Sequence, residues 1–96
     1  MDSSFEWDEA KNKENAKKHG VSFEEAQLAF KDPYGITYED ITHSTKKEHR
    51  FFFLGKIGNK VCTIRFTYRT NKIRIFGAGY WRKEQKIYEN ENKKYN

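Results

Sequence analysis

The stretch RFFFLGKIGNKVCTIRFTYRTNKIRIFG, Arg50 to Gly77, decides the fold. It holds three runs rich in aromatic and β-branched residues, RFFFLGKI, KVCTIRFTYR and KIRIFG, divided at Gly58-Asn59 and Thr70-Asn71. Such runs joined by two-residue turns form antiparallel hairpins. Strand residues alternate between faces. Cys62, Ile64, Phe66 and Tyr68 therefore point one way, and Val61, Thr63, Arg65, Thr67 and Arg69 the other. A turn at Thr70-Asn71 pairs Tyr68 with Ile73, Phe66 with Ile75 and Arg65 with Phe76. A turn at Gly58-Asn59 pairs Phe53 with Ile64 and Phe52 with Arg65. One face is then a core of Phe51, Phe53, Ile64, Phe66, Ile73 and Ile75. The other gathers Arg50, Arg65, Arg69, Lys72 and Arg74 around Phe52 and Phe76.

Upstream the period is helical. Asp8 caps a helix running from Glu9 to about Lys18, and Gly20 stops it. VSFEEA follows, with Ser22 and Glu25 in capping-box positions and Val21 and Ala26 in staple positions. Phe23, Ala26, Gln27 and Phe30 form its apolar stripe, and Asp32-Pro33 ends it. After Pro33 the period changes to two, so YGITYEDIT reads as a strand and HSTKKEH as a polar connection. YWRKEQKIYENENKK reads as a charged helix, with about 90–96 a loose tail. The expected fold is α+β, one domain over 1–96, with two N-terminal helices, a four-stranded antiparallel sheet and a C-terminal helix.

Composition narrows the function. Charged residues make up 34% of the 96 and mean hydropathy is −1.09, a polarity bordering on disorder; aromatics at 17% supply a core with few residues. The net charge of +5 favours anionic partners such as nucleic acid. No window is apolar enough to span a membrane and no signal core opens the chain, so a cytoplasmic protein is expected. One cysteine excludes an internal disulfide. Three histidines at no ligand spacing give no zinc site, and no cofactor is expected.

Clustered cations on one sheet face repel each other unless an anion joins them. Aromatics between cations suit RNA, whose phosphates meet the charges while bases stack on rings. The competing reading packs Phe52, Leu54 and Phe76 beneath a helix and leaves the arginines as a solvated rim. Gly77-Ala78-Gly79 precedes a helix, yet Arg82 stands where a dinucleotide fingerprint needs its third glycine, and the strands are not parallel. The start of that helix still offers free N–H groups, and Arg82 and Lys83 in its first turn oppose the helix dipole unless an anion lies there.

These residues carry a resemblance. FEWDEAKNKENAKKHGVSFEEA, Phe5 to Ala26, with HSTKKEHRFFFLGKI, VCTIRFTYR and IRIFGAGYWRKEQKIYE, is similar to the BrnT toxins, from Phe5 to about Glu89. The resemblance implies a RelE-like fold and a ribonuclease toxin of a type II toxin–antitoxin pair, inhibiting translation. It also implies a neighbouring ribbon-helix-helix antitoxin bound in a hetero-oligomer. Many such sequences carry an Ala-Arg-Arg-Ala-Thr-type segment where this chain has Ala78-Gly79-Tyr80-Trp81-Arg82-Lys83.

RNA can be cut without metal when its 2′-hydroxyl attacks the adjacent phosphorus. Arg65 and Arg74 are the expected transition-state cations. Arg50, Arg69 and Lys72 are expected to bind phosphate, with Arg82 and Lys83 at the rim. His43, His49 and Glu48 are the acid–base candidates, since an imidazole titrates near neutrality. Tyr68 falls on the apolar face and is the least favoured. Other readings are an RNA-binding module without catalysis, a protein whose basic face meets an acidic antitoxin segment, and the same fold aimed at another target such as gyrase.

Overall fold

The computed structural model describes residues 4–93. The elements are β1 Phe5–Glu6, α1 Glu9–His19, α2 Phe23–Ala26, β2 Ile36–Glu39, β3 Arg50–Ile57, β4 Lys60–Arg69, β5 Lys72–Gly79 and α3 Arg82–Lys93. Short 3₁₀ turns cover Gln27–Lys31 and Ile41–His43.

The helix signals act as read. The Asp8 carboxylate accepts from the Ala10 and Lys11 amides, and Gly20, at φ 72°, closes α1 in the left-handed region. Ser22 and Glu25 complete their capping box. The second helix is nevertheless only one α turn continued as 3₁₀, which corrects the expected pair of N-terminal helices. The last helix runs through Lys93, into the stretch expected to be loose; 94–96 lie outside the described residues.

The sheet is five-stranded and mixed, in the order β1-β5-β4-β3-β2, which corrects the four-stranded antiparallel expectation. The added strand is β1, whose Phe5 and Glu6 lie parallel to Ile73 and Arg74. Two residues are too short to show any period. The expected first strand is shortened to Ile36–Glu39, because Asp40 begins the turn through His43.

Both hairpins keep the register derived from their turns. Phe53 faces Ile64, Phe52 faces Arg65, Phe66 faces Ile75 and Tyr68 faces Ile73. Gly58 at φ 62° and the Thr70-Asn71 pair at φ 50° and 64° supply the positive backbone angles that tight hairpins use. One pairing fails. A bulge between Arg65 and Phe66 sets Arg65 against Gly77 rather than Phe76. The extra residue on β5 is left unpaired.

The N-terminal helices cover one face. Val21, Phe23, Ala26 and Ala29 bury against Phe53, Ile64, Phe66, Ile75 and Ala78. Phe30 stacks on Phe53 at 4.5 Å and meets Phe66 edge-on at 5.5 Å. Such pairs add about 0.5–1.5 kcal/mol each beyond the area they bury. Tyr68 lies at the rim of this face and is 60% exposed. Gly55 lets the chain close up, since a Cβ there would lie 2.4 Å from the Ala29 carbonyl oxygen.

Helix α3 covers part of the opposite face, with Tyr88 and Ile87 over Leu54, Val61 and Phe52. Asp32 anchors it. Its Oδ2 accepts from the Tyr88 hydroxyl at 2.5 Å and the Lys56 amide at 2.8 Å, and Oδ1 from the Tyr34 amide. Phe52 and Leu54 thus pack beneath a helix, as the competing reading required, while the rest of the face remains open.

Candidate functional site

The open part of the face begins with Arg65, in the middle of β4. Its guanidinium lies 5.8 Å from the centre of the Phe52 ring and 3.8 Å from Asp40 Oδ2. Asp40 directly follows β2 and is buried. It is held by backbone bonds: its amide donates to the Arg50 carbonyl, and its own carbonyl accepts from the Ser44 hydroxyl. One 3₁₀ turn later, His43 Nδ1 lies 2.7 Å from Asp40 Oδ2. A buried carboxylate therefore orients an imidazole and also meets a guanidinium.

Arg65 lines two clefts. One, of about 310 Å³, lies between the 3₁₀ turn and the start of α3, among His43, Phe52, Thr63, Trp81 and Glu84. The other, of about 340 Å³, lies between α1 and the end of β5 and includes Lys11, Lys18, His19, Phe76 and Trp81. Arg65 and Trp81 belong to both, so the two clefts form one groove around the edge of β5. Gly77 faces Arg65 across the strands and adds no side chain to block it. Asn15 fastens α1 to this edge: its amide donates to the Ala78 carbonyl at 2.9 Å and accepts from the Ala78 amide at 3.2 Å. It replaces the strand partner that β1 is too short to provide.

Three of the other expected cations, Arg50, Arg69 and Arg74, are paired with carboxylates. Arg50 Nε donates to Glu48 at 2.9 Å, and its guanidinium sits 4.2 Å over the Phe76 ring, the residue displaced by the bulge. Arg69 binds the same Glu48 carboxylate at 3.1 Å. Arg74 reaches Glu6 at 3.3 Å. Lys72 faces Arg69 at the hairpin. Arg82 and Lys83 stand exposed in the first turn of α3, beside Trp81.

Two other acid–base candidates, Glu48 and His49, are engaged by partners of their own. Hydrogen bonds from Arg50, then Arg69, hold the Glu48 carboxyl below its ordinary range, which makes it a weak base. His49 Nδ1 lies 2.8 Å from Glu39 Oε2. Glu39 pairs with Phe51 and so shares the face of Phe51, opposite to that of Arg65. Of the three acid–base candidates, His43 is the one that lines a cleft together with Arg65. Cys62 is fully buried, and burial pushes its thiol up to about 11, which leaves it no nucleophilic role.

Sequence reasoning missed Asp40, Trp81, Thr63 and the α1 residues Lys11, Lys18 and His19. Asp40 carried one local signal, its place three residues before His43. The α1 residues carried none, because their helical spacing is that of a solvated face.

These features define a class: a small basic α+β protein whose groove sets a guanidinium, a carboxylate-oriented imidazole and an exposed indole side by side. The chain belongs to the BrnT family, whose family model, described as the ribonuclease toxin BrnT of type II toxin–antitoxin systems, matches residues 7–85. That membership brings an RNA substrate and an antitoxin partner. No curated protein matches the chain. Among the described residues no helix is long and apolar enough to cross a membrane.

Proposed function

We propose that this chain is a RelE-like, metal-independent endoribonuclease that inhibits translation and is neutralised by a ribbon-helix-helix antitoxin of the BrnA kind. The observation that carries the reading is the His43–Asp40–Arg65 cluster, in which one buried carboxylate contacts both the imidazole and the guanidinium. RNA lies along the groove with the scissile phosphate at Arg65. His43 takes the 2′-hydroxyl proton as the 2′-oxygen attacks phosphorus. The bond to the 5′-oxygen breaks, that oxygen takes a proton from solvent, and a 2′,3′-cyclic phosphate remains. Arg65 stabilises the charge that develops on the phosphorane. General acid–base help of this kind is worth about 10²–10⁴-fold, and a preorganised donor about as much as an oxyanion-hole bond, ~3 kcal/mol. Lys11, Lys18, Arg82 and Lys83 flank the groove for the neighbouring phosphates.

Two observations favour a second reading, a protein that binds antitoxin but cuts RNA poorly. Gly79, Tyr80 and Trp81 stand where related sequences carry arginines, and Arg50, Arg69 and Arg74 are each engaged by a carboxylate. The test is expression in bacteria, alone and with the adjacent reading frame, beside a translation extract dosed with purified protein. Growth arrest alone, rescue by the neighbour and loss of translation are expected. Unimpeded growth and translation would leave the second reading standing.

A further inference from the structure

Trp81 is 40% exposed, yet it is firmly seated. The six-membered end of its indole lies on Gly79: a Cβ there would come 2.4 Å from Cη2, 2.7 Å from Cζ3 and 2.8 Å from Cζ2. Any side chain at 79 would lift the ring from this position. The His19 ring meets the indole at 5.3 Å and 62°, an edge contact from the α1 side. The apolar cluster beneath α3 consists of Leu54, Val61 and Tyr88 with Ile36, Tyr38, Phe52 and Ile87, so Trp81 is not part of that core. A large ring fixed at a water-facing surface is a platform rather than a plug.

A second observation in the same cleft points to a ligand. Thr63 is only 2% exposed, and its Oγ1 is the one buried side-chain oxygen or nitrogen among the described residues without a hydrogen-bond partner. Thr63 as a residue lines the cleft together with Trp81, Arg65 and His43. A buried hydroxyl with no partner carries a desolvation penalty that an incoming polar edge would relieve.

We propose that Trp81, seated on Gly79, is a nucleobase-stacking subsite. The base next to the phosphate on Arg65 lies on the indole face, with its polar edge turned toward Thr63 Oγ1. The subsite is sequence-tolerant, because every base has a π-face. It rests on the RNA reading above and extends it by locating where a base is held.

The test uses the full chain with Trp7→Phe, so that Trp81 is the sole tryptophan. The probe is a single-stranded oligo-deoxyadenylate, which lacks the 2′-hydroxyl needed for attack, beside an abasic strand of equal length. Saturable quenching of Trp81 emission by the base-bearing strand is expected, with no quenching by the abasic strand, which binds several-fold more weakly. Trp81→Ala should weaken binding of the base-bearing strand about 10-fold or more, and Trp81→Phe should restore most of it. Gly79→Ala, which displaces the ring, should behave like Trp81→Ala. Equal binding by Trp81→Ala and unchanged emission in its parent would overturn the subsite while leaving the RNA reading intact. A parent that binds neither strand and cuts no RNA would remove the reading beneath it. Circular dichroism checks the variants, and if Trp81→Ala unfolds, the contrast between the two strands on the parent still decides.

Discussion

Replacing Asp40 with Asn tests how the cleft is organised. The substitution keeps size and backbone bonds but removes the charge that lies 2.7 Å from His43 Nδ1. The Asp40 side chain is 8% exposed but that of His43 is 51% exposed, so solvent screens the contact from the imidazole side. A hydrogen bond to a charged group is worth about 1.5–3 kcal/mol, and His43 becomes cationic as it takes the 2′-hydroxyl proton. With the imidazole half exposed the lower end of that range applies, a drop in kcat of about 10-fold. The contact with Arg65 adds less, because at 3.8 Å and 41% exposure that guanidinium is screened, and such pairs contribute at most about 1 kcal/mol. The assay is single-turnover cleavage of a short fluorescent RNA, with a thermal melt of each variant alongside. His43→Ala should lose at least as much rate as Asp40→Asn, and the double variant little more than His43→Ala, since the two side chains act as a unit. A kcat within twofold of the parent for Asp40→Asn, while His43→Ala is crippled, would refute the orienting role. Additive losses would refute the coupling.

Three further outcomes concern the frame that positions the cleft. Burial raises the Asp32 carboxyl, but the Tyr88 hydroxyl and the Lys56 and Tyr34 amides outweigh it and leave it below its ordinary range in the fold. Its stabilisation is therefore present above the unfolded carboxyl's pKa and is lost as pH falls toward the lower folded value. Asp32→Ala should cost about 1–3 kcal/mol near neutrality and flatten the acid limb of a Tm-versus-pH curve; an unchanged curve would free α3 from this anchor. Gly55→Ala forces a methyl against the Ala29 carbonyl and should cost about 1–3 kcal/mol in chemical denaturation. Gly77→Ala, whose Cβ meets nothing nearer than 3.9 Å, should be close to neutral.

Most of the frame was legible because it is written locally. Period-two alternation placed β3 and β4 at their observed ends, and the two turns set the register that puts Arg65 opposite Phe52. The caps at Asp8 and Ser22 are short-range chemistry and read directly. What escaped is non-local. The β1 strand exists because the β5 edge accepts it, not because Phe5 and Glu6 show a period. The bulge at Arg65/Phe66 breaks the alternation on which the Arg65–Phe76 pairing rested. The arginine cluster was visible on one face, but the carboxylates that divide it, Asp40, Glu48 and Glu6, come from other segments, and no spacing rule joins Glu6 to Arg74. His43 and His49 looked alike in a polar loop, until the pairing of Glu39 with Phe51 separated their faces. Gly77 and Gly79, which first suggested a phosphate loop, do different work: Gly77 leaves the groove open before Arg65, and Gly79 seats an indole.

The most direct measurement is the end-group chemistry of RNA cut by the purified chain in excess EDTA. The cluster of His43, Asp40 and Arg65 predicts products with 2′,3′-cyclic or 3′-phosphate ends and 5′-hydroxyl ends, undiminished by the chelator and lost in Arg65→Ala and His43→Ala. Intact RNA, products with 5′-phosphate ends, or cleavage abolished by EDTA and restored by a divalent cation would contradict it.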